Sequence, residues 1–397
     1  MFQSQFAKFY QCEGYRVNSL STDGARAQVE LLWDERFKPR CGRCSALMRI
    51  NRKTRQSALD LPLASADFVA VVYEAVQGFC SGCRRYHTVR PLEIVEHHQA
   101  TLRLMRRVSH AARWMPLDRI CELYSVTPSS AYRYDRYILQ TELPAPDLEG
   151  LCALLIDEKM IRKGTFITLV LNAHTGELLF LAEGRDQSVL APFFERLTQA
   201  QKQGILAVGL DRSASYRAAV EKHLPQAEIV LDKFHLVANY HEVIDKVRRR
   251  SYAQADQANR AFIKGQRYNL FRNPCHLSPD ARSDLKALLE ANLDLNTLYV
   301  LREEFKRIWT YSYRKCAENC LVGWARLAID SGIRELQRFA EGLLEVKDQI
   351  TSYCKHRITS ARIEAFNSVI SKVIHKCCGV SNLDYLFLKL RQESLQN

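Results

Sequence analysis

Leu154-Leu155-Ile156-Asp157, Ala207-Val208-Gly209-Leu210-Asp211 and Ala361-Arg362-Ile363-Glu364-Ala365-Phe366-Asn367 are the stretches on which the fold turns. The first two are apolar runs that each close on an aspartate, the pattern of a buried strand reaching a polar edge. The third belongs to a helix: Ile363, Phe366, Ile370, Val373 and Ile374 recur at helical period and predict packing on a core. Glu364 and Asn367 then share a second face, three residues apart. Asp157, Asp211 and Glu364 together supply the hard oxygen ligands that a divalent-metal phosphoryl-transfer site needs. Singly, each has a plainer reading: Asp211 as a helix N-cap, Glu364 as a first-turn glutamate favoured by the helix dipole.

Around these stretches the pattern predicts strands over Cys152–Asp157, Phe166–Asn172 and Leu178–Leu181. The turn Ala173-His174-Thr175-Gly176-Glu177 joins the last two as a hairpin. A helix over about Ser188–Gln203 follows, then strand Ile205–Asp211, helix Ala214–Leu224 and strand Glu228–Asp232. Antiparallel strands followed by alternating helix and strand imply a mixed sheet flanked by helices. In a sheet of this order the first strand is central and the fourth lies beside it, which sets Asp157 next to Asp211. Asp232 and His235 form a D-x-x-H pair at the end of the fifth strand, either as accessory groups beside the acids or as a helix cap with a hydrogen-bonded histidine. From about 234 to 390 the chain reads as helix, broken at Asn273-Pro274. The segment around 246–272 carries eight cations, Lys246 and Arg248 to Arg272, that either track a polyanion or mediate self-association.

The N-terminal third has a different character. Cys41-Gly42-Arg43-Cys44 and Cys80-Ser81-Gly82-Cys83 are two C-x2-C turns whose four thiolates are expected to make a closed, structural zinc site, the plainer reading being two coincidental thiol pairs or a redox dithiol. The gap over 45–79 implies an inserted hairpin, with Phe68-Val69-Ala70-Val71-Val72-Tyr73 as one strand. Residues 117–138 read as two helices about the turn Ser125-Val126-Thr127-Pro128, with Thr127 as N-cap and Pro128 in the first helical position. This is the layout of a helix-turn-helix, and Ser129, Ser130, Tyr132, Arg133 and Arg136 are the expected DNA-facing set. The proline pair in Leu143-Pro144-Ala145-Pro146-Asp147 marks a domain boundary.

The 397 residues carry a net charge of +13, which favours a polyanionic partner. No run of about 18 uncharged apolar residues suggests a membrane span, and Met1 to Lys8 lack the apolar core of a signal peptide. The 13 cysteines are odd in number and mostly scattered in apolar runs, as expected of a reducing cytoplasm.

With these blocks in place, the chain resembles bacterial insertion-sequence transposases of the ISL-three family over nearly its whole length. The resemblance is carried by Cys41 to Cys83, by 117–138, by Ile156-Asp157-Glu158-Lys159, by Glu183-Gly184-Arg185, and by Leu210-Asp211-Arg212-Ser213-Ala214-Ser215-Tyr216. Leu224-Pro225-Gln226-Ala227, Asp232-Lys233-Phe234-His235, Ala361 to Asn367 and Gly379-Val380-Ser381-Asn382 extend it. It implies a multidomain α+β protein: a zinc-ribbon-like DNA-binding domain (1–97), a helix-turn-helix (98–143), and an RNase H-like catalytic domain. The last comes in two parts, 150–250 and 346–397, around a helical insertion, 251–345. It implies a DDE transposase that binds terminal inverted repeats and cuts and transfers DNA strands, with Mg2+ (or Mn2+) held by Asp157, Asp211 and Glu364; the alternatives are a catalytically decayed DNA-binding regulator and a metal-dependent DNA nuclease without strand transfer. Zn2+ would be structural, and the protein would act on double-stranded DNA as a homodimer or larger assembly, associated with the nucleoid. The chain departs from the family pattern at Arg212, where a methionine-like residue is expected, and at Thr359-Ser360-Ala361-Arg362, where an Asn-Gly-like turn is expected.

Overall fold

A computed structural model describes residues 10, 12–62, 66–91, 93–256, 260, 263–272, 274–377, 379 and 382–395. The chain divides into two compact units, Met1–Ala145 with Lys372–Glu393, and Pro146–Ser371 with Ser394–Asn397. Among the described residues the strands form one seven-stranded and one five-stranded sheet, and no helix is long and apolar enough to cross a membrane.

The first unit opens with β1 (Tyr15–Asp23), β2 (Arg26–Trp33), β3 (Arg49–Asp60), β4 (Phe68–Cys80), β5 (Arg85–Val89), β6 (Ile94–Val95) and β7 (Ala100–Thr101), in the order β1-β2-β4-β3-β7-β6, with β5 on β4. The long antiparallel β3–β4 pair is the hairpin that fills the gap between the cysteine turns. Val69, Val71 and Tyr73 alternate inward along β4, the period-two pattern of a strand with one buried face. Asp60, at the end of β3, is buried and accepts hydrogen bonds from the Tyr10 hydroxyl and Thr101 Oγ1, each 2.6 Å, and from Arg103 Nε at 2.7 Å.

Helices α1 (Leu102–Ala111), α2 (Leu117–Tyr124) and α3 (Pro128–Glu142) follow and enclose Leu104, Met105, Val108, Ile120, Ala131 and Tyr134. Ser125, at φ 51°, ends α2. Thr127 caps α3 by accepting from the Ser130 amide, with Pro128 in the first turn, so the local sequence fixes this turn as expected.

The second unit is built on β8 (Ala153–Arg162), β9 (Thr165–Asn172), β10 (Leu178–Glu183), β11 (Ala207–Leu210) and β12 (Glu228–Leu231), in the order β10-β9-β8-β11-β12. β8, β9 and β10 pair antiparallel, while β8, β11 and β12 are parallel. The mixed sheet and its central first strand are as the sequence pattern predicts. Two expectations are corrected. The helix over Ser188–Gln203 is split into α4 (Ala191–Arg196) and α5 (Gln199–Gly204), because Thr198 and Gln201 form a capping box that starts a new helix. Strand β8 does not stop at Asp157; pairing with β9 carries it on to Arg162.

Helices α6 (Ala214–His223) and α7 (Lys233–Gln254) follow β11 and β12. The helical region continues through α8 (Arg267–Phe271), α9 (Pro279–Ala291), α10 (Leu293–Arg307), α11 (Arg314–Asp330), α12 (Arg334–Leu344), α13 (Lys347–Thr351) and α14 (Tyr353–His356). Trp309 and Trp324 are buried with Tyr240 and Phe305 in its core, against the half-buried Phe339.

The chain ends with α15 (Ala361–Lys376) and α16 (Leu383–Ser394). The expected C-terminal part, 346–397, is not of one piece: the division between the units falls within α15, and α16 belongs with the first unit up to Glu393. The reason is polar and buried. Lys389 on α16 ion-pairs with Asp135 on α3 at 3.1 Å, and both side chains are essentially inaccessible to water.

Candidate active site and metal centres

The parallel ladder aligns Gly209 with Leu155 and Leu210 with Leu231. Continuing that register brings Asp157, Asp211 and Asp232 into line across β8, β11 and β12, at the carboxyl ends of β11 and β12, where open α/β sheets carry their ligands. The three aspartates line one small cleft together with His235, Ser360 and Ile363.

The neighbours of each carboxylate distinguish their roles. Asp232 is saturated: Oδ1 accepts from the amides of Phe234 (3.3 Å) and Ser360 (3.4 Å), and Oδ2 from the His235 amide (3.2 Å) and ring Nδ1 (2.7 Å). Burial raises its pKa, but the bonds from His235, Ser360 and Phe234 outweigh burial and hold it below the usual carboxylate range. Both readings of the D-x-x-H pair therefore describe this geometry, since Asp232 is the N-cap of α7 and His235 also lines the cleft. Hydrogen bonding to Asp232 pushes His235 upward against the effect of burial, and the nearby Asp157 and Asp211 add to the rise.

Asp157 is the opposite case. Burial raises its pKa and the Asp211 charge adds to the rise, while the Glu158 amide and Asn367 oppose it. The nearby His235 also opposes the rise, but among the described residues neither Asp157 nor Asp211 has an ion-pair partner, and two such carboxylates side by side have the chemistry of a cation site. Asp211 accepts from the Ser213 amide at 2.8 Å, in the turn that Ser213 then continues by capping α6.

Glu364 stands apart. It is exposed on the first turn of α15, and among the described residues its one bond to another side chain is from Ser360 Oγ at 3.3 Å. Among the described residues, the α15 side chain that hydrogen-bonds an aspartate of the cleft is Asn367, one turn on, whose Nδ2 donates to Asp157 Oδ2 at 3.3 Å. The shared face of Glu364 and Asn367 was legible in the sequence, but a residue without charge gave no sign of bonding an aspartate.

The two family departures have local explanations. Arg212 sends Nη2 to the Gly342 carbonyl on α12 at 3.0 Å, so its charge serves the helical region. In the Thr359–Arg362 turn, Ser360 bonds Asp232 and Glu364, and Arg362 Nη1 donates to the Thr175 carbonyl at 3.0 Å.

In the first unit, Cys41, Cys44, Cys80 and Cys83 bring their sulfurs within 4.8 Å of one another. Among the described residues this is the one group of three or more metal-ligand side chains so gathered; Asp157, Asp211 and Glu364 are not. The sulfur separations Cys41–Cys83 3.8 Å, Cys44–Cys80 3.5 Å and Cys44–Cys83 3.4 Å are near the edge of about 3.8 Å of a tetrahedron with 2.3 Å zinc–sulfur bonds. The amides of Cys44 and Arg43 lower the Cys41 thiol to about 6 and so favour the thiolate.

The expected DNA-facing residues are distributed unevenly. Ser129 and Arg133 are exposed on α3, and Ser130 is half-buried, accepting from Arg133 at 3.3 Å. Tyr132 is instead packed on Tyr385 of α16, ring centroids 4.6 Å apart, and Arg136 is half-buried. Of the cations around 246–272, Arg248, Arg249 and Arg267 pair with Asp245, and Arg250 with Asp294 and Glu335. Much of that charge is committed within the fold.

A family profile described as transposase, of the ISL3 type, matches residues 154–390, a span holding all the acids above. The transposase for insertion sequence element IS1001 of Bordetella parapertussis is 30% identical over 356 residues, 88% of this chain and 87% of that protein. The transposase for insertion sequence element IS1557 of Mycobacterium tuberculosis is 24% identical over 234 residues, 53% of this chain and 52% of that protein. On the extent of these matches, this chain belongs to the ISL3 family of transposases.

Proposed function

We propose that this transposase binds the inverted-repeat ends of its element and cuts and joins DNA strands at an RNase H-like site formed by Asp157, Asp211 and Glu364. The observation that carries the reading is the in-register placement of Asp157 beside Asp211, within the span that matches the family. Asp157, Asp211 and Glu364 would hold Mg2+ or Mn2+, and the chemistry supplied there when the metal is bound would be activation of the attacking water or 3′-hydroxyl and stabilisation of the leaving oxygen. The residues fit that group: Asp157 and Asp211 are adjacent carboxylates with no ion-pair partner among the described residues, and Glu364 is an exposed carboxylate on the first turn of α15.

The chain's own groups do the rest. Asn367 orients Asp157, and Asp232 fixes the His235 tautomer by engaging Nδ1. The second ring nitrogen of a protonated His235 is suited to an oxygen of the scissile phosphate. The first unit is read as the DNA-binding end: four thiolates hold structural zinc, and α2–α3 act as the helix-turn-helix, with Ser129, Ser130 and Arg133 toward DNA. Two ends must be held together for strand transfer, so the active form is a dimer or larger assembly on DNA.

Asp211→Asn tests the site: end binding in a mobility-shift assay should match wild type, while Mg2+-dependent cleavage of the labelled end should be abolished. Wild-type cleavage by this variant sinks the assignment.

A further inference from the structure

Asn367 has a property that its hydrogen bond to Asp157 does not use up. A carboxylate accepts only, so the amide must present Nδ2 to Asp157 Oδ2. That orientation turns Oδ1 to the other side, where it is buried with no hydrogen-bond partner among the described residues. A buried carbonyl left unpaired loses its hydration with nothing in return, which is a reason to expect a partner in the working state. The partner has to be a donor or a cation. Asp157 and Asp211 beside it offer only acceptors once ionised, and Glu364, one turn back on α15, is likewise an acceptor. A neutral, hard oxygen on a side chain already bonded to one of the candidate ligands, Asp157, is what a divalent cation or its bound water accepts as a further ligand.

We infer that Asn367 is a further member of the divalent-cation site: Nδ2 fixes the Asp157 carboxylate, and Oδ1 turns to the ion or to a water in its shell. This rests on the reading of Asp157 and Asp211 as cation ligands. It gives α15 two contributions one turn apart, a charged ligand at 364 and a neutral orienting group at 367. It also explains how Asp157 keeps its orientation before the ion arrives, when the Asp211 charge would push the two carboxylates apart.

The test is Mn2+ binding to the full-length protein, read by the electron paramagnetic resonance signal of free Mn2+, with thermal unfolding alongside and without and with Mn2+. Asp211→Asn serves as the reference. Asn367→Ala is expected to weaken Mn2+ binding about tenfold, the usual scale for a group that supports a metal ligand, with unchanged unfolding in the absence of the ion. Asn367→Asp puts a third carboxylate against Asp157. It is expected to lower the unfolding temperature without metal and to regain wild-type stability and at least wild-type affinity with Mn2+. If Asn367→Ala binds Mn2+ like wild type while Asp211→Asn does not, Asn367 is only structural and the inference falls. An Asn367→Asp variant that Mn2+ does not restabilise also overturns it. If Asp211→Asn itself binds Mn2+ like wild type, the reading of the aspartates as ligands fails, and the inference with it.

Discussion

Removing the Lys389 ammonium should loosen α3, the helix that carries the proposed DNA-facing residues. Lys389 Nζ makes three bonds, to Asp135 Oδ2 (3.1 Å), the Ala112 carbonyl (3.0 Å) and Gln392 Oε1 (3.1 Å), which uses all its protons. Asp135 also accepts from Ser109 Oγ at 2.6 Å and the Tyr385 hydroxyl at 2.5 Å. In Lys389→Met the hydrocarbon stem is kept, but a fully buried carboxylate is left with two neutral donors. Breaking one side of a buried ion pair costs about 3–5 kcal/mol, because the remaining charge is uncompensated. Hydrogen exchange of the α3 amides reads this locally, without assuming two-state unfolding of a protein with two units. Protection should fall by roughly a hundredfold to a few thousandfold, since each 1.4 kcal/mol is about tenfold. The double variant Asp135→Asn/Lys389→Met removes both charges and keeps a hydrogen-bonding group for Ser109 and Tyr385, so it should recover more than half of the loss. Wild-type protection in Lys389→Met, or a double variant no better than the single one, would refute the reasoning.

Zinc should be present in the purified protein at one ion per chain by elemental analysis and absent from Cys80→Ser; metal-free wild-type protein with an intact first unit by circular dichroism would count against the site. Gly209→Ala should lower the unfolding temperature of the second unit. A Cβ at Gly209 would lie 2.7 Å from Leu155 Cδ2 and 2.8 Å from Ile358 Cγ2, an overpacking worth about 1–3 kcal/mol, readable by calorimetry. An unshifted transition would mean that β11 and the segment leading into α15 yield without strain.

Much of the site was legible because it depends on local pattern and strand order. Short apolar runs ending in aspartate, with a hairpin between the first two, predict a central first strand, and parallel pairing then sets Asp157 beside Asp211. The cysteine turns were equally readable, since their spacing is itself the chemistry. What escaped was set by long-range burial. Nothing in Leu383 to Ser394 announces that Lys389 meets Asp135 more than 250 positions earlier, because a lysine at helical spacing ordinarily reads as solvent-facing. The contact of Tyr132 with Tyr385 is illegible for the same reason: Tyr385 is on a helix whose location the local pattern does not give. The split at Leu197-Thr198 was missed because the capping box, visible as Thr198 and Gln201, lay inside a run with continuous helical pattern.

The register raises a sharper question about the third acid, since Asp232, not Glu364, is in line with Asp157 and Asp211. Hydrogen bonding decides between them. Asp232 uses both oxygens to cap α7, to hold the Ser360 amide and to bind His235, so serving as a ligand would strip donors from four bonds. Glu364 has only the 3.3 Å contact with Ser360 Oγ to give up and is already in water. The two amides therefore separate structure from chemistry. In Asp232→Asn an NH2 group must face either the paired Phe234 and Ser360 amides or the His235 amide. Loss of the cap and the unmatched donors should destabilise the second unit by about 1–3 kcal/mol. Glu364→Gln is a surface change, expected to leave stability within about 0.5 kcal/mol, yet it should abolish Mg2+-dependent cleavage with end binding intact. If Glu364→Gln still cleaves while Asp232→Asn is as stable as wild type and inactive, the third ligand is Asp232, and the hydrogen bonds around it are released when the metal binds.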